Sequence, residues 1–209
     1  MAVRLVLASA SPRRFELLSQ LGYKPVARPV DIDESVRAHE TPLEYVKRMA
    51  QQKLDAAFEE LRASTEDVSG SEGDSSQIVL AGDTVCIKGE EILTKPLDYE
   101  DFQRMMRLMS GSVHTVVSSF ALGEMKNGEC RNVTLEVVKT DVYFRELSDA
   151  EIRAYWETGE PRDKAGGYGI QGLGAVFVTR IEGSYSNVVG LPLMEVHRAL
   201  TSAGVESRL

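Results

Sequence analysis

The sequence predicts an α/β or α+β fold built on a mixed β-sheet with flanking helices, and three observations carry that prediction. Strand-like and helix-like segments alternate through the first half, a long β-rich stretch with an Asn-Gly turn follows, and a helical pattern closes the chain after a glycine-dense run. With 209 residues and 43% hydrophobic content the chain can bury a full core. The simplest organisation is therefore one domain over 1–209, and two lobes around a cleft are compatible with that length.

The elements follow in order. Residues 3–8, VRLVLA, read as a buried strand, being too short for the apolar core of a signal peptide. In SASPRRFELL, Ser11 is placed as an N-cap, Pro12 as the first helical residue, and Phe15, Leu17, Leu18 and Leu21 as the buried stripe, with Gly22 and Pro25 closing the helix. TPLEYVKRMAQQKLDAAFEEL opens on a capping box, Thr41 and Glu44, and its stripe of Val46, Ala50, Leu54, Ala57 and Leu61 is helical. Lys53 lies beside that stripe, where a lysine ordinarily snorkels to solvent. Residues 62–76, RASTEDVSGSEGDSS, have almost nothing to bury and read as a flexible acidic insertion rich in Ser and Gly. QIVLAGDTVCI then gives an apolar strand ending in Asp83 and Thr84, followed by a turn over 88–91 and a short strand before Thr94, Lys95 and Pro96. Phe102, Met105, Met106 and Met109 recur at helical spacing over 98–110, a core stripe stopped by Gly111. KNGE joins two long strands as a hairpin, and LSDAEIRAYWETG starts with a second capping box, Ser148 and Glu151. The closing helix runs from about Leu193 to Gly204.

Composition excludes several classes. Lys and Arg number 24 against 32 Asp and Glu, net −8, which argues against general affinity for nucleic acid or for an acidic membrane. No apolar run is long enough to span a bilayer, so the expected location is cytoplasmic. Cys86 and Cys130 lie far apart without metal-type spacing and read as ordinary thiols. His39, His114 and His197 are dispersed and suggest no nucleophilic triad. An anionic ligand would need a local basic pocket or a metal ion.

The first helix offers such a pocket. Arg13 and Arg14 sit in its first turn, where unpaired N–H groups already carry positive partial charge and acids are the favoured side chains. The two cations are either turned to solvent and to acids such as Glu16, or, with Ser9 and Ser11, they form a cradle for phosphate. Asp83, expected at the carboxyl end of a central strand, stands where ligand crevices open in α/β sheets and is suited to binding a hard cation or taking a proton from water; the alternative is a turn aspartate bonded to nearby backbone. Asp31, Asp33 and Glu34 make an acidic cluster in DIDES, and Glu34 with Asp83 would hold magnesium if the fold brings them together; otherwise DIDES is a solvated turn. The glycines of DKAGGYGIQG permit close backbone approach, and Gln171 offers the donor and acceptor pair suited to a base edge, although glycine clusters also form plain turns. Cations and acids without a covalent nucleophile are the equipment of metal-assisted phosphate hydrolysis.

SASPRR, DES, AGDTV, KP, SGSVHTV, EPRDKAGGYGIQG and SYSNVVGLPL, in that order and spacing, resemble the Maf family, the septum-formation inhibitor Maf-like proteins, across nearly the whole chain outside 62–76. The resemblance implies a nucleoside triphosphate pyrophosphatase of elongated α/β fold, shared with inosine triphosphate pyrophosphatases, with a divalent metal, usually Mg2+, and a homodimer. It further implies that Ser9, Arg13 and Arg14 bind phosphate, that Glu34 is a metal-binding or catalytic acid, that Lys53 and Lys95 neutralise phosphate charge, and that Asp83 is the general base or a metal ligand. Arg13, Thr84 and Gln171 would select the substrate. AGDTV and Gln171 resemble the branch acting on dTTP and UTP, including modified pyrimidine nucleotides. A 7-methyl-GTP or broad house-cleaning pyrophosphatase, and a nucleotide-binding regulator of cell division with little hydrolysis, are the alternative readings. Thr94, where many relatives have glycine before Lys-Pro, is a departure that bears on the aim of Lys95.

Overall fold

A computed structural model describes residues 3–66 and 76–209. Among these residues seven strands form one mixed sheet, in the order β2-β1-β3-β5-β6-β7 with the short β4 paired to β3. Strand β1 (Arg4–Ala8) lies parallel to β2 (Val26–Ala27) and to the first part of β3 (Gln77–Lys88). The remaining ladders, to β4 (Glu91–Leu93), β5 (Val113–Lys126), β6 (Glu129–Phe144) and β7 (Val178–Glu182), are antiparallel. The β5–β6 turn is the expected Asn-Gly hairpin, with positive φ at Asn127 and Gly128 as the favoured hairpin twist requires.

Strand alternation divides the core. Leu5, Leu7, Ile78, Leu80, Phe120 and Leu122 point to one face, where helices α1 (Pro12–Gln20) and α6 (Leu193–Ser202) cover them through Leu17, Leu18, Val196 and Leu200. Val6, Ala8, Val79, Ala81 and Ala121 point to the other, beneath Ala50, Leu54, Ala57 and Phe58 of α2 (Pro42–Glu66). A second core gathers where β3 and β5 run on beyond β1: Cys86, Leu93 and Val116 pack with the methionine stripe of α3 (Tyr99–Met109) and with Ile152 and Tyr155 of α4 (Asp149–Glu157).

Three expectations change. The helix of the insertion's left flank does not stop at residue 61 but continues to Glu66, so 62–66 are helical; the rest of the expected insertion, 67–75, lies outside the described residues. Asp83 is not at the end of its strand, because β3 continues to Lys88 on the support of β5, with Asp83 opposite Ser119. The strand that ends here is β1, whose last rung joins Ala8 to Ala81. In α1, Phe15 is 40% exposed while Arg14 is buried beside Leu17 and Leu18, because the Arg14 guanidinium finds acceptors inside the protein.

Candidate active site

Where β1 ends and β3 continues, the sheet leaves a cleft of about 920 Å3 between the two cores. Ser9 to Arg14, Glu34, Lys53, Asp83, Thr84 and Lys95 line it, with Lys164, Ala165 and the loop from Tyr168 to Gly172. The nine residues to which the resemblance gives a role, Ser9, Arg13, Arg14, Glu34, Lys53, Asp83, Thr84, Lys95 and Gln171, meet in this one place, carried by six separate stretches of chain.

The acidic side is organised by a lysine. Lys53 Nζ stands 2.8 Å from Asp83 Oδ1 and 2.6 Å from Glu34 Oε1, so one ammonium joins a residue of α2, a mid-strand aspartate and the loop after β2. Lys53 is 9% exposed and does not snorkel to solvent; its helix face turns into the cleft. Burial alone would raise the Glu34 carboxyl, yet the hydrogen bond and charge of Lys53, with Lys95 and Arg14 further off, outweigh it and hold the group below its ordinary range. Tyr45, two helical turns before Lys53, donates its hydroxyl to the Glu34 carbonyl at 2.9 Å and fixes the loop. Burial, with Asp83 and Glu34 nearby, pushes that phenol up to about 12, so it stays a donor. Tyr45 was not singled out in the sequence, although its spacing from Lys53 puts both on one helix face. Asp31 and Asp33 do not join the site; Asp33 instead accepts from the Ser35 N–H at 2.9 Å in an exposed turn.

The basic side starts from the α1 turn. Ser11 Oγ accepts from the Arg14 N–H at 3.4 Å, and Ser9 Oγ accepts from the Ser11 N–H at 3.1 Å. The Arg14 side chain donates from Nε to the Gly190 carbonyl at 2.8 Å, from Nη1 to Ser9 Oγ at 3.1 Å and from Nη2 to Thr84 Oγ1 at 3.1 Å. Three of its five N–H groups are thus used within the protein. Thr84 donates in turn to Gly190 O at 3.2 Å and lies 2.8 Å from Ser118 Oγ. Gly190 closes α5 (Tyr185–Val189) at φ 131°, a conformation that turns its carbonyl toward both partners. Arg13 sits at the rim, 3.6 Å from Asp163. Lys95 and Gln171 are exposed on the cleft wall, and Thr94 ties that wall down by accepting the Gly166 N–H at 3.1 Å.

Among the described residues no group of three or more His, Cys, Asp or Glu is placed to hold a metal on protein ligands alone. The donor set still fits magnesium, which takes one or two carboxylates and completes its shell with water and phosphate oxygens. Glu34 and Asp83 already converge on a single cation, the Lys53 ammonium.

Fold and cleft together define an open mixed-sheet α/β protein with a cation-lined, acid-bearing crevice fitted to an anionic ligand. The chain belongs to the Maf family, whose sequence profile, described as Maf-like protein, matches residues 4–203. It is similar to the dTTP/UTP pyrophosphatase of Photobacterium profundum, 46% identical over 194 residues and 93% of both chains. It is also similar to proteins of that name from Hahella chejuensis, 46% identical over 97% of this chain and 94% of the relative, and from Vibrio cholerae, 44% identical over 94% of this chain and 96% of the relative.

Proposed function

We propose that the chain is a nucleoside triphosphate pyrophosphatase that hydrolyses dTTP and UTP to the nucleoside monophosphate and pyrophosphate. The observation that carries this reading is the Glu34–Lys53–Asp83 bridge facing the arginine-bearing turn of α1 across one cleft. The names of relatives matched over nearly their full length support the choice of substrate.

The triphosphate enters with its charge met by the α1 turn, Arg13 and the open N–H groups of Arg14, and by Lys53 and Lys95. Asp83 takes the proton of the attacking water. The water oxygen bonds to the α-phosphorus, the bond from that phosphorus to the bridging oxygen breaks, and pyrophosphate carries the electron pair away. Lys53, 2.8 Å from Asp83, aims that carboxylate and places a preorganised positive charge in a partly enclosed site. Glu34 and Asp83 would hold a divalent cation, most simply Mg2+; when bound, it supplies charge neutralisation at phosphate oxygens. Gln171 would read the base edge and Thr84, braced by Arg14, would shape the wall beside it. The same reading takes the substrate to be free nucleotide in the cytoplasm, with a homodimer as the working unit and neither nucleic acid nor membrane as partner. The net charge of −8 supports the exclusion of nucleic acid and acidic membrane as partners, and no helix among the described residues is long and apolar enough to cross a membrane.

Pyrophosphate release from dTTP, UTP, CTP, the purine nucleotides and 7-methyl-GTP, with and without magnesium, is the test. Metal-dependent release favouring dTTP and UTP is expected. A preference for 7-methyl-GTP would overturn the pyrimidine assignment, and tight binding without hydrolysis of any nucleotide would overturn the enzyme reading in favour of a regulator.

A further inference from the structure

We propose that Glu160 is the positioning residue of the loop that presents Gln171 to the cleft, and that base selection depends on it. This rests on the pyrophosphatase reading above, in which Gln171 faces the base. The loop has the form of a tight turn: the Gly172 N–H bonds to the Gly169 carbonyl at 3.2 Å, so Ile170 and Gln171 are its central residues. Ile170 packs inward against both hydrophobic cores, whereas Gln171 is exposed on the cleft wall. One central residue anchors the turn and the other is displayed.

A single acid and phenol pair holds both ends of this segment. The Glu160 carboxylate accepts from the Leu173 N–H at 2.9 Å, the Gly174 N–H at 3.2 Å and the Tyr155 hydroxyl at 2.8 Å. The Tyr155 oxygen accepts in turn from the Gly169 N–H at 3.0 Å. The glycines are spaced to admit that pair: a Cβ on Gly172 would collide with both Glu160 carboxylate oxygens, and one on Gly174 would lie 2.7 Å from the Tyr155 hydroxyl. Lys164 donates to the Glu160 carbonyl at 2.7 Å, which fixes the acid's own backbone. Burial would raise the Glu160 carboxyl, but the bonds from Leu173, Tyr155 and Gly174 and the Lys164 charge prevail, so it is held low and remains an anion at neutral pH. Backbone N–H groups bonded to a charged acceptor hold more firmly than to a neutral one. Nothing in this arrangement requires Glu160 to touch the reacting atoms, and its effect would pass through the aim of Gln171.

The test compares Glu160→Gln, Tyr155→Phe and Gln171→Ala, alone and combined, in the full chain. The first readout is amide hydrogen exchange, which should rise at least about tenfold at Leu173 and Gly174 in Glu160→Gln while the β3 and β5 amides keep their protection. The second is the ratio of kcat/KM for dTTP over CTP and 7-methyl-GTP. That ratio should fall by roughly tenfold in Glu160→Gln, as expected when a polar reader of the base is misplaced, and Tyr155→Phe should shift it in the same direction. The ratio in the Glu160→Gln, Gln171→Ala double variant should equal that of Gln171→Ala alone, because one residue acts through the other. A loosened loop with unchanged selectivity in Glu160→Gln, where Gln171→Ala does alter selectivity, would overturn the proposal and leave the pyrophosphatase reading standing. Unchanged selectivity in Gln171→Ala would instead overturn the base-reading role on which the proposal rests. If Glu160→Gln does not fold, Tyr155→Phe, which removes only one hydroxyl, decides on the same two readouts.

Discussion

Helices α1 and α4 both begin on a serine N-cap, and their first turns are built in opposite ways. In α4 the Ser148 hydroxyl accepts from the Glu151 N–H at 3.3 Å, Glu151 returns a bond from the Ser148 N–H at 3.0 Å, and Asp149 adds a second acid where the helix dipole favours one. In α1 the first turn holds no acid and two arginines. The α4 end is satisfied by its own side chains, with Asp149 in an exposed ion pair to Arg107. The α1 end opens on the cleft, where Arg14 is committed to Ser9, Thr84 and Gly190 and Arg13 stands at the rim. A helix terminus that forgoes its cheapest local stabilisation marks the place where an anion is expected to complete it.

Variants at the two ends should therefore separate function from stability. The largest effect is expected at the acid facing α1: Asp83→Asn should lower kcat by about a thousandfold while the thermal melt stays within a few degrees of wild type, since the amide keeps a hydrogen-bonding oxygen for Lys53. Steady-state pyrophosphate release beside circular dichroism reads both. Arg14→Met should show mixed behaviour, because it strips a donor from Ser9, Thr84 and the Gly190 carbonyl at once; we expect roughly a hundredfold loss in kcat/KM and about 2 kcal/mol of stability in denaturant titration.

Beneath α4, the core carries its own pH signature. His114 is 2% exposed, bonded through Nε2 to the Tyr168 hydroxyl at 2.9 Å, and burial with Lys88 nearby pushes it down to about 3. The unfolded chain takes up this proton near the ordinary value of 6.5 and the folded chain does not until about 3, so the histidine destabilises the fold progressively as pH falls across that window. The loss is at most about 5 kcal/mol. His114→Gln should flatten the pH dependence of denaturant stability between those values; an unchanged slope would mean that the ring is not held neutral. The smallest effect belongs to the α4 cap: Ser148→Ala should cost about 1 kcal/mol and leave kcat/KM for dTTP unaltered. A loss of activity there would break the contrast between the two helices.

How much of this was legible in the sequence depends on the range of the interactions involved. The α2 stripe, the Asn-Gly hairpin, the α3 methionines and both capping boxes are local patterns, and the structure follows them. The inward turn of Arg14 is not local: helical periodicity favours Phe15 for the core, and only the fold brings a carbonyl 176 residues away into reach of the guanidinium. Asp83 shows the same limit. The run Val85, Cys86, Ile87 after it was signal enough for a continuing strand, but that the crevice belongs to the end of β1 follows from the pairing order. Glu34, Lys53 and Asp83 could each be suspected separately, whereas their union in one bridge needed three elements set beside each other. Nothing in the local pattern marks Glu160 or Tyr155, and their hold on the glycine loop emerges only from the hydrogen bonds.

The most direct measurement is a paired one on Arg13→Glu, the charge reversal that the α4 pattern would favour at the α1 terminus. Melting temperature and dTTP hydrolysis should be recorded on the same sample with magnesium present. The account predicts a melt close to wild type, since the acid that now complements the helix dipole offsets the loss of the exposed ion pair to Asp163, together with a KM for dTTP raised at least about tenfold. Hydrolysis at the wild-type KM would contradict the claim that this turn is kept basic for the phosphates of a nucleotide.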